Sequence, residues 1–369
     1  MKRKINTIIN LLIINLKIFY YIFFSKKKII FFFNPKRKLA NITNYYIKDW
    51  LSQLKKDFYV IYAYVPGEYF NYNDEIKISP IACKYIFGVD IFISTYVCEY
   101  FSNNSKKIYI HHDIYDTPLT KKENFKELIG QLLKYDYIFT PSKISKNMFE
   151  NLFINSVNKP EIISTGYLKL DYLLKKQKKN KLKKNSIIIA PTDFNAFKKY
   201  SLLDKLPELI SEIISKSNLQ IIFRPHPSNR DNKKILNIKK KFNNSKKFVF
   251  DTSENYLKNY NKSFCMITDI SGTAYTYSFL NETPVIFLTN KIVEKNLKTY
   301  NYIKDRKKIG YIAESINELL NKIKLIKRNK NKFKRSIIKL KYNLSNLKNV
   351  KKVMTDKVYD IVLKNEVST

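Results

Sequence analysis

The sequence predicts an α/β protein built from two parallel-sheet domains, and three observations carry that expectation. A chain of 369 residues is too long for one ordinary core and fits two domains of about 150 residues each. Short apolar runs alternate with stretches of helical spacing along most of the chain, which is the α/β signature. The three histidines all stand where such a run opens onto a loop. His111 and His112 follow Ile108-Tyr109-Ile110, and His226 follows Leu219-Gln220-Ile221-Ile222-Phe223. Ligands of open α/β sheets bind at the carboxyl ends of strands. Two such edges facing each other across a cleft would put imidazoles on both walls, which suits an enzyme that handles phosphate and moves a proton.

Residues 1–28 form a first, membrane-associating helical segment. Positions 5–24 are mostly apolar, about the length of a membrane span, and bracketed by Lys2-Arg3-Lys4 and Lys26-Lys27-Lys28. No small-residue cleavage site follows. Asn6, Asn10 and Lys17 fall on one helical face, which favours a helix lying in a membrane interface, or packed on protein, over one surrounded by lipid. The N-terminal domain is expected over 29–175, with strands at 29–33, 59–64, 91–95, 108–110 and 137–140. Phe125, Leu128, Ile129, Leu132 and Leu133 have helical spacing, and Ser142 is placed to cap a further helix. Residues 176–185 are lysine-rich and apolar-poor, so they read as a linker. The alternation restarts in a domain over 186–335, with strands at 187–190, 219–223, 248–250, 264–268 and 285–288. A helix carrying Ile316, Leu319, Leu320 and Ile323 follows, then a basic helical tail over 336–369.

The formal net charge is +38, which invites a nucleic-acid reading. The lysines are spread along the chain, no named nucleic-acid motif is present, and Lys, Asn, Ile, Tyr and Phe all use AT-rich codons. No specific nucleic-acid partner is expected. The charge instead favours anionic partners such as phosphorylated donors and an anionic membrane surface. Cys83, Cys98 and Cys265 have no metal-ligand spacing and fit a reducing compartment.

The strongest local signal is Thr268-Asp269-Ile270-Ser271-Gly272-Thr273-Ala274, between a buried-looking strand and a helix start. Backbone N–H groups, two hydroxyls and the helix dipole make such a turn a phosphate site, and Gly272 lets a ligand approach the backbone. The bland reading is an ordinary helix start. Arg224-Pro225-His226-Pro227 is a stiffened turn whose Arg and His can hold a phosphate, or a rigid loop with exposed polar groups. In His111-His112-Asp113, adjacent residues at a strand end point to opposite sides. One histidine then faces the cleft while the other packs away, so the pair does not bind one metal, and no metal or cofactor is expected. Asp113 or Asp116 could orient an imidazole as a general base requires. Gly166-Tyr167 to Asp171 reads as a domain-closing turn, and Ala190-Pro191-Thr192 as a cap or a hydroxyl lining the cleft.

Taken in order, these pieces resemble the CDP-glycerol glycerophosphotransferase family of teichoic-acid-type polymerases and primases, most clearly over about 108–312. The resemblance implies a GT-B-like fold of two Rossmann-like domains around a central cleft. It implies attack by an acceptor hydroxyl on the phosphate of a CDP-activated polyol, with release of CMP. His111 or His112, with Asp113, is then the catalytic end. Thr192, Arg224, His226, Asp269, Ser271, Gly272 and Thr273 bind donor phosphate and nucleotide. A lipid-linked glycan acceptor at the cytoplasmic face of the membrane completes the expectation. The family's His-Gly is here His111-His112-Asp113, and the second Ser of its Asp-x-Ser-Ser is Gly272. Those departures suit a relative that transfers another phosphate-bearing or sugar group in capsule or lipopolysaccharide assembly. The alternatives are a GT-B glycosyltransferase using a nucleotide sugar and a non-catalytic membrane-bound scaffold.

Overall fold

The computed structural model describes residues 2–34, 40–65, 75–117, 119, 124–177, 185–253 and 256–368. Positions 178–184 of the expected linker lie outside the described residues. The chain divides into two compact units, 1–112 with 122–171 and 345–369, and 113–121 with 172–344. The expected domain boundaries are thus crossed twice, by a short strap after the histidine pair and by the C-terminal helix.

The first unit holds a seven-stranded sheet. Its strands are β1 (Lys28–Asn34), β2 (Phe58–Tyr64), β3 (Glu75–Lys77), β4 (Ile91–Ser94), β5 (Lys106–Ile110), β6 (Tyr137–Thr140) and β7 (Glu161–Ser164). They run in the order β3-β2-β1-β4-β5-β6-β7, every pairing parallel. Parallel strands covered on both faces read as continuous apolar runs, and Ile29 to Phe33 is buried throughout. The order reverses between β1 and β4, the switch point at which open sheets bind ligands.

The C-terminal helix Val350–Ser368 belongs to this unit. The element Gly166 to Asp171 receives it. Asp171 accepts from the Lys348 N–H at 2.8 Å and the Val350 N–H at 3.1 Å, satisfying amides that the helix start leaves over. Gly166 has φ +106°, and a Cβ there would run into the Ser345 carbonyl. Trp50, fully buried, donates to the Thr355 hydroxyl at 3.1 Å. The Gly-Tyr-x-x-x-Asp element therefore closes the domain.

The second unit repeats the plan with β8 (Ser186–Ile189), β9 (Gln220–Phe223), β10 (Phe248–Phe250), β11 (Ser263–Thr268), β12 (Val285–Leu288) and β13 (Gly310–Ala313). The order is β10-β9-β8-β11-β12-β13, again all parallel. Helices Leu206–Lys216, Lys233–Phe242 and Ile316–Arg328 lay apolar faces on it, with Leu206, Ile210, Ile235 and Leu319 fully buried. The switch point lies between β8 and β11. Their carboxyl ends lead into Ala190-Pro191-Thr192 and Asp269-Ile270-Ser271-Gly272-Thr273.

Candidate active site

Helix Thr273–Asn281 starts at the second switch point, and the residues from Ala274 to Leu280 are all buried. Helices Lys143–Leu152, Lys233–Phe242, Lys291–Leu297 and Ile316–Arg328 are capped by the side chains of Ser142, Asn232, Asn290 and Ser315. Gly272 offers helix Thr273–Asn281 no such cap. Among the described residues, the N–H groups of Ser271, Gly272 and Thr273 and the Ser271 hydroxyl make no hydrogen bond. Unsatisfied amides at the positive end of a helix dipole form a ready anion seat. The Thr273 hydroxyl is shared with Tyr260 at 3.0 Å.

Asp269 holds this turn in place. It is 1% exposed, and its oxygens accept from the N–H groups of Thr192 at 2.9 Å, Ile270 at 2.7 Å and Leu202 at 3.1 Å. Burial pushes its carboxyl up from 3.8 to about 6, and those three amides oppose the shift. This corrects the expectation that Asp269 touches the donor. With both oxygens occupied inside the protein, it ties the loop after β8 to the loop after β11. Thr192 sits on that tie through its backbone, and its side chain is also buried.

Arg224 ends β9 and is buried. Its Nη1 donates to Asp251 Oδ2 at 2.8 Å and to the Ser253 carbonyl at 2.9 Å, while the guanidinium lies 4.9 Å from the Tyr256 ring centroid. Burial pushes the Asp251 carboxyl up, but Arg224 and Ser253 outweigh that and hold it below the ordinary carboxylate range. Arg224 is thus anchored at one nitrogen by an intramolecular partner, which the sequence reading did not foresee. The acid directly after the β10 run Phe248-Val249-Phe250 was the available signal, because β10 neighbours β9.

His226 opens the turn Pro227–Asn229, and its Nδ1 accepts from the Ser228 N–H at 3.3 Å. Asp193 Oδ2 approaches the same nitrogen at 3.8 Å. The shorter contact is a donor, so Nδ1 is assigned as acceptor and the proton to Nε2. Asp193 also accepts from Asn229 Nδ2 at 3.0 Å, which steadies the loop opposite the imidazole.

The histidine pair separates as strand alternation requires. His111 is 3% exposed and packs edge-on against Phe149 at 5.0 Å between ring centroids, with Tyr109 at 6.0 Å. It belongs to the core, a correction to its place among the catalytic candidates. His112 is half-buried beside Tyr96 at 5.4 Å. Asp116 does not orient an imidazole either. It accepts from the Asn301 N–H at 2.8 Å, Asn301 Nδ2 at 2.9 Å and the Tyr302 N–H at 3.0 Å. Tyr115 of the same strap lies 4.2 Å from the Tyr275 ring and donates to Asp305 at 3.1 Å. Asp113 belongs to the second unit, where a Cβ placed on Gly272 would lie 2.9 Å from its Oδ1. Gly272 has φ −60° and ψ −19°, which any residue adopts, so a side chain there would need only a shift of the Asp113 carboxylate. The Asp113 carboxylate lies against the space beside Gly272.

Residues 102–364 match the model of the CDP-glycerol:poly(glycerophosphate) glycerophosphotransferase family. The chain belongs to that family. It is accordingly a transferase of the CDP-glycerol glycerophosphotransferase type. No curated protein matches the chain in sequence. Among solved structures, the wall teichoic acid polymerase TagF is 18% identical over 97% of this chain and 98% of its own, with a TM-score of 0.60. UDP-GlcNAc 2-epimerase from Neisseria meningitidis, solved with UDP-GlcNAc, is 13% identical over 90% of this chain and 100% of its own, with a TM-score of 0.60. A putative UDP-N-acetylglucosamine 2-epimerase from Listeria monocytogenes gives 13% identity, 88% and 94% coverage and a TM-score of 0.61. At these identities the likeness is one of fold, and the fold is GT-B-like. Within this glycerophosphotransferase, the turn at Ser271-Gly272-Thr273 and the Arg224–His226 loop follow β11 and β9, the two strands that flank β8 in one sheet.

Proposed function

We propose that this protein transfers glycerol phosphate, or a related polyol phosphate, from a CDP-activated donor to a hydroxyl of a membrane-linked surface-glycan acceptor, releasing CMP. The uncapped start of helix Thr273–Asn281, at the switch point between β8 and β11 of the sheet whose strand β9 ends at Arg224 and His226, is the observation that carries the reading. Seats of this kind suit phosphoryl transfer, where catalysis is mostly positioning and charge stabilisation.

The chemistry divides among residues as follows. The acceptor oxygen attacks the phosphorus that bears the polyol, and its proton passes to His112. The bond from that phosphorus to the bridging oxygen breaks, and the electron pair leaves with CMP. The amides of Ser271, Gly272 and Thr273 and the Ser271 hydroxyl stabilise the phosphoryl oxygens. His226 Nε2–H donates to the leaving phosphate, and Arg224 adds positive charge through the guanidinium nitrogens that Asp251 leaves over. Asp269 acts at one remove by fixing the turn. In the first unit, a cavity of about 210 Å³ is lined by Phe33, Pro80, Val97, Glu99, Tyr100 and others. It lies at the β1–β4 switch point and is the proposed acceptor site. The place of work is the cytoplasmic face of the cell membrane, within capsule or related surface-glycan synthesis.

The test is nucleotide release by purified protein with membranes, offered CDP-glycerol, CDP-ribitol and a panel of nucleotide sugars. Acceptor-dependent CMP release that disappears in His226→Ala is the expected result. Release of UDP or GDP from a sugar donor would overturn the polyol-phosphate reading and move the protein to the glycosyltransferases.

A further inference from the structure

The loop that follows β4, residues 95–101, leaves the first unit's sheet at its switch point. Val97, Cys98, Glu99 and Tyr100 of this loop line the cavity of about 210 Å³, and the Tyr96 ring lies 5.4 Å from that of His112. A loop in such a place needs a fixed shape, yet its own backbone supplies little. Among the described residues, the one hydrogen bond made by the backbone of residues 97–101 runs from the Cys98 N–H to the Tyr135 hydroxyl, at 2.8 Å.

Tyr135 is buried and stands just before β6. Its N–H donates to the Leu132 carbonyl at 3.1 Å, and the next residue, Asp136, accepts from the Lys107 N–H at 2.7 Å. The backbone from which the side chain rises is therefore tied both to helix Phe125–Leu132 and to β5. The ring packs edge-on against Phe101 at 5.0 Å and beside Tyr109 at 5.6 Å. Its hydroxyl oxygen lies 2.8 Å from Ser94 Oγ, at the end of β4, and 3.5 Å from the Tyr96 carbonyl. A phenol offers one proton and accepts at its oxygen. When the Cys98 N–H and the Ser94 hydroxyl both donate to that oxygen, the phenol proton is left for the Tyr96 carbonyl, and all three groups are served at once. Burial pushes the Tyr135 hydroxyl far up from its ordinary value, so the proton stays in place.

We infer that Tyr135 is a positioning residue for the acceptor: its hydroxyl holds the β4 loop in the shape that walls the cavity and sets Tyr96 beside His112. A buried amide that loses its partner is costly, so a loop with a single backbone tie shifts or opens to water when that tie is removed. Tyr135 is not among the residues lining the cavity, and it acts through the loop. The inference rests on the reading that this cavity takes the acceptor and that His112 takes its proton. The donor is held by residues of the second unit, so loosening the β4 loop weakens the hold on the acceptor and leaves donor binding as it was.

The experiment compares Tyr135→Phe with Ser94→Ala in the full chain. Phenylalanine keeps the ring packing and leaves the Cys98 N–H without an acceptor. Ser94→Ala removes a partner on the strand side, spares the tie to the loop, and so measures what losing one buried hydrogen bond does by itself. Both should lower the thermal unfolding midpoint by a few degrees. Hydrogen exchange in peptides covering 95–101 should speed up about tenfold or more in Tyr135→Phe and stay near wild type in Ser94→Ala. Turnover is read as CMP release from CDP-glycerol, with membranes as the source of acceptor. The amount of membrane giving half-maximal rate should rise about fivefold or more in Tyr135→Phe while the donor KM holds within about twofold. In Ser94→Ala both should hold within about twofold. Unchanged exchange at 95–101 in Tyr135→Phe would overturn the tie. Equal rises in the two variants, or a donor KM that rises with the membrane requirement, would overturn the positioning role in favour of a general loss of stability. A wild type that releases no CMP would sink the proposed reaction and the acceptor role with it. The exchange comparison needs no substrate and keeps that failure apart from a failure of the tie.

Discussion

The carboxyl end of β5 in the first unit and that of β11 in the second carry the two groups of residues assigned to the reaction, and they are built by opposite means. After β11, a buried carboxylate gathers three backbone amides and fixes two loops, leaving a turn with unsatisfied donors. After β5, aromatic packing does the work. Phe149 and Tyr109 enclose His111, and the next residue, His112, is left accessible. A preorganised polar turn suits a phosphate, whose charge must be met by fixed dipoles. A histidine emerging from an apolar shelf suits proton transfer, where one imidazole needs access and a firm backbone.

The largest effect should come from splitting the histidines. His112→Ala should lower kcat about 10²- to 10⁴-fold, the usual worth of a general base, while His111→Phe, which keeps an aromatic ring in the core, should retain most activity. Steady-state CMP release with saturating donor reads both. Activity that survives His112→Ala and dies with His111→Phe would reverse the assignment of the two residues.

The second effect tests the polar turn through its neighbours. Asp251→Ala leaves the buried Arg224 guanidinium without its counter-charge and should destabilise the fold by about 3–5 kcal/mol, measured by urea unfolding. The wild-type pair should also weaken in acid. The folded Asp251 carboxyl lies below its ordinary 3.8, so its contribution is present above that value and is lost as pH falls through the lower folded value. Asp269 has the opposite sign. Its folded carboxyl is raised from 3.8 to about 6, so its favourable contribution is full below 3.8 and declines as pH rises toward 6. Between pH 7 and pH 4.5 the wild type should gain about 2 kcal/mol relative to Asp269→Asn. A constant gap between the two proteins across that range would mean that Asp269 is not desolvated as described.

Much of this was legible in the sequence, and the omissions have a common cause. Strands β1, β2, β4, β5, β6, β8, β9, β10, β11 and β12 were expected as apolar runs, and most of them lie inside their sheets, covered on both faces. The three strands that went unread, β3, β7 and β13, are all edge strands. Glu75, Lys77 and Glu161 interrupt the pattern of the first two because an edge needs no cover on its open side. The return of helix Val350–Ser368 to the first unit depends on Asp171 and Trp50, which are far from it in sequence. Residue types at the site were legible, but their duties were not. Asp269 and Asp116 are acidic residues in loops that look functional, and only coordinates show their oxygens filled by backbone amides. On the N-terminal helix, periodicity separates two faces without saying which is inside, and here Asn10 and Asn15 turn inward while Asn6 and Lys17 stay exposed.

The smallest effect isolates the space at Gly272. Its backbone conformation is open to alanine, so Gly272→Ala should cost only about 1 kcal/mol of stability. The new methyl group must displace the Asp113 carboxylate, which would lie 2.9 Å away. If the amides beside Gly272 seat the donor phosphate, that displacement disturbs the seat and not the base. KM for the CDP-activated donor should then rise severalfold while kcat holds within about twofold, since uniform binding is what is lost. Asp113→Gly in the same background relieves the crowding and should restore most of the donor KM. A Gly272→Ala variant with unchanged donor KM and a depressed kcat would place the donor elsewhere, and it would make Asp113 a participant in proton transfer beside His112.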